Sequence, residues 1–201
     1  MKTTRLEAFS DGVLAIVITI MVLEMKTPQS PDFAALAPLW HVFVVYILSF
    51  VYLGIYWNNH HHMMLATDTV TGTVLWANLH LLFWLSLVPF ATGWMGQNQF
   101  ESVPTAVYGF VLLMVASSYK LLQHTIVTHK KGENKFLARL VRHDLKGNLS
   151  IILYLAAIPL SFVNHWIAGA LYLAVAVMWF TPDPRIEEKI EKKLEKEAGE
   201  A

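Results

Sequence analysis

Arg5-Leu6-Glu7-Ala8-Phe9-Ser10-Asp11-Gly12 runs without interruption into Val13-Leu14-Ala15-Ile16-Val17-Ile18-Thr19-Ile20-Met21-Val22-Leu23, and the reading of this stretch decides the fold. Its apolar part, Val13 to Leu23, is shorter than the roughly 20 residues that a membrane-spanning helix needs. A spanning helix must therefore take in Ser10, Asp11, Glu7 and Arg5. An Asp deep in such a helix costs about 2.5–3.5 kcal/mol even on the lenient insertion scale, so it turns to protein or water. The stretch is expected to be a buried or pore-lining helix.

Outward from it, the chain continues in the same vein. Of 201 residues, 55% are hydrophobic and only 15% charged, with a mean hydropathy of +0.45, which is the composition of an integral membrane protein. No nucleic-acid signature is present. The absence of cysteine excludes disulfides, thiolate metal sites and cysteine nucleophiles. Lys2 and Arg5 before an apolar run resemble a signal peptide, but Glu7 and Asp11 interrupt it and no small-x-small cleavage site precedes Thr27-Pro28.

Six spans are expected, near 5–25, 36–57, 73–94, 103–122, 148–163 and 166–180, forming an all-α membrane domain over residues 1–181. Residues 182–201 follow as a charged cytoplasmic helix or tail with a narrow stripe at Ile186, Ile190 and Leu194. Prolines 28 and 31 mark a loop after the first span. Asn58 to His62 is read as the polar close of the second, with Thr69-Val70-Thr71-Gly72-Thr73 before the third. Pro89 should disturb the third. The long polar segment His124 to Gly147 carries an amphipathic piece around Phe136, Leu137, Leu140 and Val141. Asn164-His165 is so short a link that the last two spans form an antiparallel hairpin. In this arrangement fourteen of the fifteen Lys and Arg fall on the side of the two termini, and Lys26 alone falls on the other. That asymmetry puts both termini in the cytoplasm.

Ile16, Ile20 and Leu23 follow i, i+4, i+7 spacing with Thr19 beside them. Several copies of this helix around an axis would stack apolar rings of the kind that gate by dewetting. Plain core packing gives the same spacing, and the residues alone leave both open. His60, His61, His62 and His80 invite a metal, yet one cluster is few for a membrane di-iron site, and no metal is expected. Asn78 and His80 need polar partners inside the third span, for which Ser10, Asp11 and Arg5 are candidates. Residues 69–73 lack the Gly-Tyr-Gly continuation of a carbonyl potassium filter, and no span has the arginine repeat of a voltage sensor. Neither a phosphate-binding glycine loop nor a hydrolase triad is visible, so no enzymatic activity and no cofactor are expected.

The motif Arg5-x-x-x-Phe9-Ser10-Asp11 at the head of a first membrane helix resembles the signature of the transmembrane protein 175 family. Trp57-x-x-His60-His61 and Trp76-x-Asn78 extend the resemblance, and a single six-helix unit points to a prokaryotic member. The resemblance implies a potassium-permeable leak channel without a carbonyl filter, a homotetramer in the cell membrane whose permeant ion is potassium. It places the constriction on Ile16, Ile20 and Leu23 and a polar layer on Thr19. Arg5, Phe9, Ser10 and Asp11 would tie the pore helix to its neighbours, with Trp57, His60, His61, Trp76, Asn78 and His80 as partners. The competing expectation is a small transporter or membrane scaffold with the first helix as the core of a monomer.

Overall fold

The computed structural model describes residues 3–65, 67, 70–129 and 144–180; the amphipathic piece at 136–141 and the charged C-terminal helix lie outside them. Helix α1, Thr4–Leu23, turns Leu6, Ser10, Leu14, Val17 and Met21 inward at helical spacing. Its other faces are open. A 3-10 segment, Phe33–Leu39, holds Pro38 and leads into α2, Trp40–Leu65. That helix does not stop at Trp57 but carries the three histidines on two further turns. Nothing in Asn58 to His62 breaks a helix, and polarity alone suggested the end.

The third span is two helices, α3 at Gly72–Ser86 and α4 at Val88–Gln97. Pro89 sits in the first turn of α4, where its missing N–H is no loss, and the chain breaks just before it. The Thr71 side chain caps α3 by accepting from the Val74 N–H at 3.4 Å. Helix α5, Ser102–His129, runs two turns past its expected end. The hairpin of α6, Leu145–Val163, and α7, His165–Phe180, turns on Asn164. Among the described residues five helical segments are long and apolar enough to cross a membrane, with α7 as the shorter sixth.

Helix α5 is the centre of the chain, packed against α3, α4, α6 and α7, while α1 lies at an edge against α2, α3 and α4. The core is braced by tyrosines. Tyr52 donates to the Tyr172 carbonyl and Tyr172 to the Thr105 carbonyl at 3.0 Å, so each large side chain also supplies its polar tip with a partner. Gly109 on α5 exists for this packing, because a Cβ there would stand 2.1 Å from the Tyr172 hydroxyl. Gly109→Ala is expected to cost about 3 kcal/mol through overpacking and loss of that hydrogen bond, seen as a lower melting temperature in detergent. Adding Tyr172→Phe should return part of the loss, since it removes the colliding oxygen; a double variant no better than the single one would refute the contact.

Candidate functional site

The two ends of α1 are chemically different. At the first, Glu7, Ser10 and Asp11 follow i, i+3, i+4 spacing, and Trp57, His60 and His61 repeat it on α2. Glu7 meets His61 and Asp11 meets Trp57, so the two helices run antiparallel there. Between them Asn78 enters from α3. Its Nδ2 donates to Ser10 Oγ at 3.0 Å, and Ser10 Oγ donates to the Leu6 carbonyl at 2.8 Å. His60 Nε2 lies 2.7 Å from Asn78 Oδ1; an amide oxygen only accepts, so His60 holds its hydrogen on Nε2. Ser10 and Asn78 are 0% exposed and His60 2%, so the three residues form one relay of donors, directed from α2 through α3 to α1, closed to solvent.

A second layer surrounds the relay. Trp57 Nε1 donates to Asp11 Oδ1 at 3.0 Å, an ion-assisted bond. The Trp57 ring stacks on His61, with centroids 6.2 Å apart, and His61 Nδ1 stands 3.7 Å from Glu7 Oε1. That last pair is partly exposed and contributes little to stability.

The remaining expected partners are elsewhere. His80 is exposed and accepts from Trp84 Nε1 on its own helix at 3.2 Å. Asn78 and His80 are two residues apart, about 200° around a helix, so they cannot share a face. Trp76 is largely exposed, as are Arg5 and Phe9. Among the described residues no three His, Asp or Glu converge as a metal site would require.

Towards the second end, Ile16, Ile20 and Leu23 are 59%, 40% and 81% exposed, on the face turned away from the rest of the chain. Thr19 shares that exposed face. Its hydroxyl hydrogen bonds back to the Ala15 and Ile16 carbonyls at 3.0 and 2.9 Å, which leaves an acceptor lone pair outward. Behind this end lies a buried polar chain that sequence reading missed. Thr92 Oγ1 of α4 is 2.7 Å from Ser49 Oγ, which is 2.9 Å from the Tyr108 hydroxyl, and Thr92 Oγ1 reaches Met21 Sδ of α1 at 4.0 Å. The signal was available: Thr92 falls at helical spacing between Val88 and Met95, and Ser49 between Val45 and Leu53.

A family model described as "Endosomal/lysosomal potassium channel TMEM175" matches residues 5–89, the span from Arg5 through the relay to Pro89. A relative from Chryseobacterium sp. (strain P1-3), named a potassium channel, is 49% identical over 96% of this chain and 100% of its own length. The chain belongs to the TMEM175 family. A crystal structure of the TMEM175 homologue from Chamaesiphon minutus, titled a lysosomal potassium-selective channel homologue, superposes with a TM-score of 0.77. It is 27% identical, over 88% of this chain and 95% of that one. The mouse protein named endosomal/lysosomal proton channel TMEM175 is 33% identical over 43% of this chain and 20% of its own length. The all-helical architecture of six spans is thus shared with a TMEM175 channel structure.

Proposed function

We propose that this TMEM175 chain is one subunit of a potassium-permeable leak channel. Four copies set their α1 helices around an axis, with Ile16, Ile20 and Leu23 as successive apolar rings and Thr19 as an acceptor layer between them. One observation carries the reading: α1 buries a stripe in its own chain and leaves the opposite, mainly apolar face uncovered, as a helix shared around an axis must. The potassium-channel names of its relatives support the permeant ion. The seven residue steps from Ile16 to Leu23 give a narrow path of roughly 10 Å at 1.5 Å per residue, and an apolar path of that length resists wetting. Closed cyclic symmetry is the usual way to place one helix per chain around a pore. The Lys and Arg asymmetry orients the polar end of α1 to the cytoplasm of a prokaryotic cell, with both termini inside the cell membrane.

The test is the reversal potential of the purified protein in planar bilayers under a potassium-to-sodium gradient. It is expected to lie towards the potassium equilibrium potential. In the same preparation a cysteine introduced as Ile20→Cys should form disulfides between subunits, since the chain has no other cysteine. Absence of both current and crosslinks would leave α1 facing lipid in a scaffold or transporter and overturn the proposal.

A further inference from the structure

Away from the exposed face of α1, at the end of the bundle where α6 begins, α2, α5, α6 and α7 line a partly open cavity of about 20 Å³, room for one water-sized occupant. Tyr56, Asn59, Tyr119, Asp144, Ser150 and Trp179 line it. The donors of Asn59, Tyr119, Ser150 and Trp179 already have acceptors. Asn59 Nδ2 donates to the Ile55 carbonyl at 2.8 Å and Tyr119 to the Asn59 carbonyl at 3.2 Å. Trp179 Nε1 donates to Ser150 Oγ at 2.9 Å, and Ser150 Oγ to the Lys146 carbonyl at 2.8 Å. What remains is acceptors. Asp144 Oδ1 caps α6 by accepting from the Gly147 N–H at 2.8 Å, but Oδ2 is buried and, among the described residues, has no hydrogen-bond partner. Lys120 also borders the cavity, and its ammonium donates to Asn148 Oδ1 on α6.

A buried carboxylate oxygen without a donor is costly. Oxygen acceptors of this kind select hard cations over transition metals; the Trp179 ring is already faced by the Lys146 ammonium, 6.0 Å from its centroid. We propose that the cavity is a binding site for one monovalent cation, sodium or potassium, held by Asp144 Oδ2 and remote from the α1 path. The site stands on its own geometry and does not depend on the channel reading.

Thermal unfolding of the full-length protein in nanodiscs tests it, with sodium or potassium chloride replacing N-methyl-D-glucamine chloride at constant ionic strength. One of the two ions is expected to raise the melting temperature saturably, by about 3–5 °C, and comparison of the two arms names which. Asp144→Asn keeps a good helix cap but removes the charge, so its melting temperature should be the same in all three salts. Phe33→Ser, 92% exposed in the 3-10 segment, should respond as the wild type does. Equal melting in all three salts for the wild type, as a lone water or the Lys120 ammonium in the cavity would give, overturns the site, as does a wild-type response in Asp144→Asn. Should Asp144→Asn fail to fold, Lys120→Met decides: removing the neighbouring positive charge should lower the half-saturating cation concentration, and an unchanged midpoint counts against the site.

Discussion

Replacing Ile20 with asparagine is expected to raise the unitary potassium current about tenfold, equivalent to some 1.4 kcal/mol off the barrier. The reasoning starts from exposure. Ile20 is 40% exposed on the single chain, so a polar group there leaves the packing behind α1 untouched. In a closed ring it places four amides where four butyl groups had excluded water, and a wetted path conducts. Ile16→Asn should act in the same direction. The neighbouring position supplies the control: Val17 is 4% exposed and points into the chain, so Val17→Asn should lower stability by about 2–3 kcal/mol rather than raise current. A current indifferent to asparagine at both isoleucines, with Val17→Asn behaving no differently, would defeat the constriction.

The second large effect is expected at Asn78. Asn78→Leu removes the acceptor of the His60 Nε2–H and the donor to Ser10 at once, and both partners are buried. Hydrogen bonds between membrane helices are on average worth less than about 1 kcal/mol. A buried donor left unsatisfied adds about 1–3 kcal/mol, and that second term decides the outcome. We expect a total loss of about 3 kcal/mol, large enough to lower the yield of folded protein in detergent. Ser10→Ala also breaks two bonds, Asn78 to Ser10 and Ser10 to the Leu6 carbonyl, and leaves the buried Asn78 Nδ2 donor without an acceptor, so its loss should be comparable. Additivity of Ser10→Ala with His60→Ala would argue that the relay is not a unit.

The number of spans and the break before Pro89 were legible in the chain because hydropathy and proline act locally, whereas the ends of α2 and α5 were not, since polar residues continued both helices. The buried side of α1 was partly legible: Ser10 shares the phase of Leu6, Leu14 and Val17, so a polar residue on that stripe had to find a partner in another helix. Which partner depended on helix phase and not on residue type. Asn78 lies in phase with Val74, Leu81 and Leu85, whereas His80 faces the other way, and treating the two as a pair overlooked that rotation. His60 was harder to assign, since three consecutive histidines point in three directions and only the packing of α2 selects one. The pairing of Glu7 with His61 follows once α1 and α2 are known to be antiparallel at this end. Periodicity could not distinguish Ile16, Ile20 and Leu23 from core residues. That distinction needed the position of α1 at the edge of the bundle, a property of all the helices together.

The division of the third span at Leu87 has a mechanical meaning. Helix α3 grips α1 at Ser10, and α4 grips it at Met21 and Glu24, where Gln97 Nε2 reaches the Glu24 carbonyl at 3.4 Å. The grips share no partner, and the helical backbone between them ends at Ser86 and restarts at Val88, with Pro89 in the first turn of the new helix. Two separate helices thus hold the two ends of α1, and the joint between the holds is the single residue Leu87.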